Sequence, residues 1–448
     1  MKKIYLSIAA ALAISTAATA QCGGRYDVDQ FGVTATTGIT YGSNVNSSNN
    51  GTTTLTLDFY EPTGDVSTAR PLIIWAHGGS FTSGSSTDAD VDTLCHRFAK
   101  KGYACASINY RLGVTSFDSL GFIPALVRSV QDMKAAVRFF YKDRSTGGAN
   151  TYKIDTNNIF IGGSSAGSFT ALHYAYLKRS CQVTSYISQH ELDSLGGLSG
   201  YSGNQCYSEN VKGVIDLCGA LGTYGWLEAG DLPLCSMHGN ADGTVNYSRG
   251  EVLPSFGIHI LFADGSRMLK AQASAVGVSD NFYTWYGANH VPYAYSTTAG
   301  ATAQAQELAY MDTTVDFVHD YLLQRLGYSC TASRPANTPY GTANLYAFTN
   351  CTTNSPLSCS ATGIKSINVN LVQEVYPNPS ENEIKVVFAN SDDTHTVQVT
   401  DLSGRIVKSA VTTQGVYTLE KSNLTPGVYF LKVSNKQGET STQKIIFY

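Results

Sequence analysis

The chain has 448 residues, of which 43% are hydrophobic and 14% are charged, and its formal net charge is −4. A chain of this length exceeds one ordinary hydrophobic core, so we expect at least two domains. The small negative charge excludes a protein that binds nucleic acid or an anionic membrane through charge alone.

The first 20 residues begin with a short basic region, continue with an apolar stretch and end in small residues. This order is typical of a signal peptide cleaved after Ala20, and the apolar stretch is too short to span a bilayer stably. No later segment is apolar enough for a membrane span, so we expect no integral membrane segment. The protein should pass through the periplasm and be secreted or held on the outer cell surface.

Strand and helix patterns alternate along the chain from residue 54 to residue 327. Alternation or buried apolar runs predict strands, and apolar spacing of three and four residues predicts helices. Strands are predicted at 54–62, 71–81, 104–113, 159–163, 213–221, 232–245 and 282–291, and helices at 123–143, after 165 and at 303–327. Such alternation indicates a mostly parallel sheet with helices on both faces, whose strand ends bind ligands.

Composition changes after Gly327. Residues 330–367 are rich in Ser, Thr, Asn and Pro, which is typical of a linker. Short alternating segments separated by turns follow and predict a small all-β sandwich. We therefore divide the chain into a signal peptide (1–20), an α/β domain (21–329), a linker (330–367) and a β-sandwich domain (368–448).

The ten cysteines all follow the predicted cleavage site, and their even number in an exported protein predicts disulfides. Spacing leaves the connectivity open. The plausible near pairs are Cys95 with Cys105, Cys181 with Cys206, and Cys218 with Cys235. Spacings typical of zinc ligands are missing from the sequence, so metal binding is the weaker interpretation.

The segment from Gly163 to Gly167 fits the pattern G-x-S-x-G, with Ser165 at its centre. A serine on a sharp strand-to-helix turn needs very small neighbours, and its hydroxyl is exposed at the start of a helix. We therefore predict that Ser165 is a nucleophile. An ordinary loop before a helix N-cap remains the alternative, while a phosphate-binding loop would need a Lys-Ser/Thr ending that is missing.

A serine hydroxyl needs a base, and the base needs an anion to orient it. In proteins whose nucleophile lies on such a strand-to-helix turn, the acid comes later in the sequence and the base later still. His290 lies in a loop after the last predicted strand and is the predicted base. Asp242 follows a buried strand and is the predicted acid, with Asp264 as the alternative; His238, between apolar neighbours, is interpreted as structural.

Acyl transfer also needs N–H groups that stabilise the developing oxyanion. The run His77-Gly78-Gly79-Ser80-Phe81 ends a buried strand, and glycines let backbone N–H groups converge there. The predicted donors are Gly79, Ser80 and Ala166. Aromatic side chains near these loops could line a substrate pocket or belong to the core; the pocket candidates are Phe81, Trp226 and Trp285.

The motifs IIWAHGGSF, INYRLG, IFIGGSSAGS, HGNADGTV and ANHV together resemble an α/β-hydrolase of the carboxylesterase and hormone-sensitive-lipase-like kind over residues 50–328. The resemblance implies Ser165 as nucleophile, His290 as base and Asp242 as acid, with no metal or organic cofactor. One departure is Ser80, which stands where such proteins usually have the third glycine of HGGG. Its N–H remains available as a donor.

The last 75 residues resemble the sorting domain of type IX secretion in Bacteroidota. The resemblance depends on YPNPS, DLSGR, LTPGVYFLKV and the final KIIF. It implies that the secretion machinery is a partner and that the protein crosses the outer membrane. A carbohydrate-binding or adhesive sandwich is the alternative.

We therefore expect a secreted carboxylesterase-type serine hydrolase that forms an acyl-enzyme on Ser165 and acts on small or polymeric esters. Acetyl, feruloyl, aliphatic and polyester substrates all remain open. The alternatives are a catalytically silent hydrolase-fold binding protein and a serine peptidase. The stretch from Cys181 to Asn210 is either a partial lid or a surface loop.

Overall fold

The computed structural model describes residues 23–46, 48, 51–145, 150–252, 260–294, 300–328, 339, 341–352, 371–389, 393–402, 405–435 and 440–448. The predicted signal peptide lies outside these residues, as does most of the predicted linker. Contacts between Cα atoms divide the chain into two compact units, residues 1–358 and 359–448. None of the helices within the described ranges is long and apolar enough to span a membrane.

The first unit is built on an eight-stranded sheet. The strands of the whole unit, in chain order, are β1 (Gly32–Asn46), β2 (Gly51–Thr63), β3 (Arg70–Ala76), β4 (Ala104–Ile108), β5 (Ile154–Ser164), β6 (Gly213–Leu217), β7 (Ala220–Leu221), β8 (Leu234–Gly239), β9 (Arg249–Glu251), β10 (Phe262–Gly265) and β11 (Asp280–Trp285). Its helices are α1 (Ala89–Lys100), α2 (Ser119–Ser145), α3 (Ala166–Tyr176), α4 (Gln189–Ser194), α5 (Ser266–Val276) and α6 (Ala301–Arg325).

The large sheet has the strand order β1-β2-β4-β3-β5-β6-β8-β11. The pairs β1–β2 and β2–β4 are antiparallel, and the pairs from β4 to β11 are parallel. The remaining strands, β7, β10 and β9, form a small antiparallel sheet. Since ligands bind at the carboxyl ends of parallel strands, this order brings the loops after β3, β5, β8 and β11 to one edge.

The central strand β3 shows why helices cover both faces of the sheet. Leu72 and Ile74 belong to one core cluster, whereas Ile73 and Trp75 belong to another, because successive side chains point to opposite faces. The first cluster includes residues of α2, α3 and α5, and the second includes residues of α1 and α6. The predicted α/β class with a mostly parallel sheet is confirmed.

Two elements near the start were not predicted. Strand β1 pairs with β2 from Gly32 opposite Thr63 to Asn46 opposite Gly51, and most of its residues are exposed or half-buried. As an edge strand it lacks the apolar alternation by which strands are recognised in sequence. Helix α1 is amphipathic, with Leu94 and Phe98 on its buried side.

The second unit contains two antiparallel sheets, one with the order β12-β13-β16 and the other β15-β14-β17-β18. The strands are β12 (Val372–Tyr376), β13 (Glu383–Phe388), β14 (His395–Thr400), β15 (Ile406–Thr412), β16 (Val416–Glu420), β17 (Gly427–Ser434) and β18 (Thr440–Phe447). Alternate residues such as Ile384, Val386 and Leu431 form its core. The predicted small all-β domain is confirmed.

The predicted near pairs of cysteines are wrong. Cys181 forms a disulfide with Cys351 rather than with Cys206. Cys351 is 170 positions away in sequence. The members of the other two predicted pairs are buried thiols: Cys95, Cys105, Cys218 and Cys235. The pairing depends on the tertiary structure, because Cys351 belongs to the segment predicted as a linker and is brought to Cys181 only when the chain folds. The described part of that segment, residues 339 and 341–352, belongs to the first unit and packs against its core through residues such as Tyr346.

Candidate active site

Ser165 occupies the turn between β5 and α3 with φ 54° and ψ −117°, a backbone conformation that L-residues rarely adopt. Small neighbours make this turn possible. A Cβ at Gly163 would overlap the backbone of Gly167, and a Cβ at Gly167 would overlap the carbonyl of Ala76 at the end of β3. The local sequence therefore forces the serine hydroxyl to the carboxyl edge of the sheet, at the start of a helix.

His290 lies in the loop after β11 and contacts both of its predicted partners. Its Nε2 is 2.8 Å from Ser165 Oγ, and its Nδ1 is 2.7 Å from Asp242 Oδ2. The side chain of Asn289 accepts hydrogen bonds from the backbone N–H groups of His290 and Gly243, which ties the two loops together. The structure thus brings together three side chains that are far apart in sequence.

Asp242 lies in the turn after β8, and its side chain is buried. Oδ1 accepts the backbone N–H groups of Thr244 and Val245, both at 2.8 Å. Burial by itself would raise the pKa of Asp242, but hydrogen bonds and charge from His238 and His290 outweigh burial and hold this pKa well below its usual value. The carboxylate is therefore ionised and faces the imidazole of His290.

Asp264, the alternative acid, has other partners. Its carboxylate accepts hydrogen bonds from Tyr224 N, Tyr346 Oη and Arg249 Nη1. It lies in β10, in the small sheet, rather than next to the loop of His290. The structure therefore favours Asp242 over Asp264 as the partner of His290.

His238 was interpreted as structural from sequence, but it contacts the same carboxylate as His290. Its Nε2 is 3.1 Å from Asp242 Oδ2, and its Nδ1 is 2.7 Å from Ser266 Oγ. The hydroxyl of Ser266 donates in turn to Asp216 at 2.7 Å. This buried network contacts Asp242 at Oδ2, the same oxygen that His290 contacts. The spacing H-G-x-x-D was the sequence signal that could have revealed it.

The predicted oxyanion donors lie on two segments that meet at Ser165. Gly79 and Ser80 both have positive φ, 98° and 54°, and a Cβ at Gly78 would be 3.3 Å from Ser165 Cβ. Tyr110 Oη donates to the carbonyls of His77 and Gly78 at 2.9 and 3.2 Å, which fixes those two peptide units. Ala166 is the first residue of α3, where backbone N–H groups lack partners within the helix.

A cavity of about 450 Å³ opens beside Ser165. Most of its lining is apolar or aromatic, and it includes Phe81 and Trp226, as predicted from sequence. Trp285, the third pocket candidate, is not part of the lining. It ends β11 and packs against Tyr293 and Tyr310 in the core on the side of α6. The prediction for Trp285 is therefore corrected.

The segment from Cys181 to Asn210 serves two purposes. Its beginning, including Val183 and Tyr186, lines the cavity. Its later part is fixed to α2, because Arg138 donates to the carbonyls of Ser199 and Gly203, both at 3.0 Å. The sequence allows either a partial lid or a surface loop for this segment. Only its first few residues are placed as a partial lid would be.

Among the described residues, one group of side chains has the geometry to hold a metal ion: Cys218, Asp242 and His290, whose ligand atoms lie within 4.8 Å of one another. Burial raises the pKa of the Cys218 thiol well above its usual value, so the thiol stays protonated. His290 and Asp242 are already hydrogen-bonded to each other. This arrangement suits proton transfer better than metal ligation.

The mostly parallel sheet covered by helices is the fold of an α/β-hydrolase, and comparison with known proteins shows which proteins the chain is similar to. Residues 57–222 match the protein family BD-FAE, and residues 374–448 match the family described as Secretion system C-terminal sorting domain. Over these residues the chain is thus similar to a family of hydrolases and to a secretion sorting domain. The sorting domain indicates a protein that is secreted or located on the outer surface.

Similar proteins include Carboxylesterase 3B of Mus musculus, 36% identical over 119 residues, which are 25% of this chain and 19% of that protein. Gut esterase 1 of Caenorhabditis briggsae is 31% identical over 123 residues, 27% of this chain and 21% of that protein. The chain thus spans about a fifth of the length of these curated relatives. Among solved structures, Thermogutta terrifontis esterase 2 phosphorylated by paraoxon has a TM-score of 0.46 and 19% identity, over 67% of this chain and 96% of that one.

Proposed function

We propose that this protein is a secreted serine carboxylic-ester hydrolase that acts through an acyl-enzyme on Ser165. The observation that carries the proposal is the chain of two short hydrogen bonds from Ser165 Oγ to His290 at 2.8 Å and from His290 to Asp242 at 2.7 Å. Such a chain lets a neutral imidazole take the serine proton while the carboxylate stabilises the resulting imidazolium.

In the acylation step, Ser165 Oγ attacks the ester carbonyl carbon as His290 Nε2 accepts the hydroxyl proton. Collapse of the tetrahedral intermediate breaks the bond to the alcohol oxygen, and His290 returns the proton to that leaving group. Asp242 holds His290 Nδ1–H throughout, so Nε2 stays directed at the serine. The products of this half are the free alcohol and an ester on Ser165.

The tetrahedral intermediate carries a negative oxygen that needs donors. We assign this role to the backbone N–H groups of Gly79, Ser80 and Ala166. The positive φ of Gly79 and Ser80 and the position of Ala166 at the start of α3 support the assignment. In other enzymes each such donor contributes about 3–4 kcal/mol to transition-state stabilisation.

Deacylation repeats the same proton transfers with water as the nucleophile. His290 takes a proton from water as the water oxygen attacks the acyl-serine, and it then returns that proton to Ser165 Oγ. A carboxylic acid leaves and the enzyme is regenerated. Every proton moves between groups of the chain, substrate and water, so the mechanism requires no metal or organic cofactor.

The cavity supports small acyl or aryl esters as substrates, since about 450 Å³ is within the usual range for small-molecule sites. Its aromatic lining, including Phe81 and Trp226, suits an apolar group next to the ester. An ester carried on a polymer fits the same scheme when only the ester group enters the cavity. We further propose that the sorting domain engages the secretion machinery.

The test is hydrolysis of p-nitrophenyl acetate and butyrate together with labelling by a fluorophosphonate probe. Ser165→Ala should lower kcat by about 10⁴-fold or more and abolish labelling. Ser164→Ala is the matched control: Ser164 is the preceding residue and its hydroxyl is hydrogen-bonded to Tyr293 Oη. The variant should still be labelled.

Undiminished turnover by Ser165→Ala would refute the mechanism. A folded wild-type protein that neither cleaves esters nor reacts with the probe would instead favour the silent binding protein. Faster cleavage of peptides than of any ester would favour the peptidase.

A further inference from the structure

A segment that follows the last helix of the hydrolase unit forms part of the wall of the catalytic cavity. We call residues 341–352 the strap; they contain neither helix nor strand. Tyr346, Phe348, Thr349 and Cys351 of the strap line the same cavity as Ser165. Since the sequence pattern of this region is that of a linker, its position in the wall is a property of the tertiary structure alone.

The first anchor of the strap is Tyr346. Its hydroxyl donates to Asp264 Oδ2 at 2.6 Å, and Arg249 Nη1 donates to Tyr346 Oη at 2.6 Å and to Asp264 Oδ1 at 2.9 Å. The guanidinium carbon of Arg249 also lies 4.4 Å from the centre of the Tyr346 ring. The Asp264 carboxylate is fully buried, whereas the Arg249 side chain is partly exposed. Hydrogen bonds to an ionised group such as this carboxylate are stronger than those between neutral groups.

The second anchor is Asn350. Its Nδ2 donates to the carbonyl of Gly225 at 2.6 Å and to Glu228 Oε1 at 2.7 Å. The ring of Phe348 lies so close to Gly225 that a Cβ at that glycine would overlap it. The third anchor is covalent, since Cys351 is bonded to Cys181, at the start of the segment that forms the neighbouring wall.

We propose that the strap sets the size of the ester group that the site accepts, with Phe348 as the limiting side chain and the Cys181–Cys351 disulfide holding the strap in place. The inference rests on the proposed ester hydrolase function. The inference follows from geometry. Three anchors fix the strap, and the ring of Phe348 occupies space at the cavity wall. Removing the ring would enlarge the cavity without touching Ser165, His290 or Asp242.

The experiment measures kcat/KM of the full-length protein for p-nitrophenyl acetate, butyrate, octanoate and benzoate. In Phe348→Ala the ratio of octanoate to acetate should rise by about tenfold or more, the scale set by a few methylene groups in an apolar pocket. Phe348→Trp should move the ratio in the opposite direction. The double variant Cys181→Ser, Cys351→Ser should shift the ratio in the same direction as Phe348→Ala, by about threefold, because two anchors remain.

Leu345→Ala is the matched control, because Leu345 belongs to the strap and is about as exposed as Phe348, 37% against 40%, but is not part of the cavity lining. It should leave the ratio within about twofold of wild type. Thermal unfolding of each variant separates a change in selectivity from a loss of folding; the opposite shifts of the two Phe348 variants cannot both come from instability.

The outcomes for the two proposals are distinct. If wild type cleaves the esters but both Phe348 variants and the cysteine variant keep its octanoate-to-acetate ratio, the strap does not limit size and this inference is overturned. A lowered ratio in Phe348→Ala would overturn it too. If wild type cleaves none of the esters, it is the proposed function that fails.

Discussion

His173 makes the stability of the hydrolase unit depend on pH. It lies on α3, two turns after Ser165, and is 2% exposed. Nδ1 is 2.8 Å from the carbonyl of Phe169, so it donates, while Nε2 accepts the N–H of Gly222 at 3.3 Å. A neutral imidazole satisfies both contacts. A protonated ring would place a second donor opposite the N–H of Gly222.

The magnitude follows from the pKa of His173, which burial lowers to about 4, the hydrogen bond to Phe169 opposing only in part. In the unfolded chain an ordinary histidine has a pKa of about 6.5. Between these values the unfolded state binds more protons than the folded state, so stability rises with pH. The contribution is fully present above about pH 6.5 and is lost as the pH falls. At pH 4.5 we expect a loss of about 2–3 kcal/mol from this residue.

The assay is urea unfolding of wild type and His173→Gln at pH 7.0 and pH 4.5. Glutamine does not titrate in this range, and its amide can both donate to Phe169 and accept from Gly222. Wild type should lose about 2–3 kcal/mol more than the variant between the two pH values. Comparing the two proteins cancels the contributions of all other groups. Equal losses in both proteins would refute the reasoning.

Two further predictions concern buried carboxylates. Asp242→Asn should keep the fold but lower kcat by about 10²–10⁴-fold, because the amide no longer selects the required tautomer of His290; turnover of p-nitrophenyl butyrate within tenfold of wild type would contradict this. Asp132→Ala should lower the free energy of unfolding by about 3–5 kcal/mol, because it leaves the fully buried Arg111 without its carboxylate. In the same urea titration, Asp312→Ala in an exposed ion pair should cost about 1 kcal/mol or less, and an equally small loss for Asp132→Ala would argue against the prediction.

The sequence by itself determined the features that depend on neighbouring residues. The turn at Ser165 is local: Gly163 and Gly167 remove the Cβ atoms that would block it. Apolar runs predicted β3, β4, β5, β6, β8 and β11, which form the parallel part of the sheet, and helical spacing predicted α2, α3 and α6. Chain order then pointed to His290 and Asp242. The edge strand β1 escaped prediction because both of its faces are largely exposed.

Only the tertiary structure decided which distant groups meet. Asp242 and Asp264 both follow apolar runs. In the folded chain Asp242 is hydrogen-bonded to His290, whereas Asp264 accepts hydrogen bonds from Tyr346 and Arg249. It also directs Trp285 to the core rather than the cavity.

The disulfide and the position of the strap also depend on the tertiary structure. Cys181 pairs with Cys351 across 170 positions, and a Ser- and Thr-rich segment becomes a wall of the catalytic cavity. Periodicity reports which face of a strand or helix is buried, but it carries no information on which remote residue lies opposite that face. That depends on how the elements pack in three dimensions.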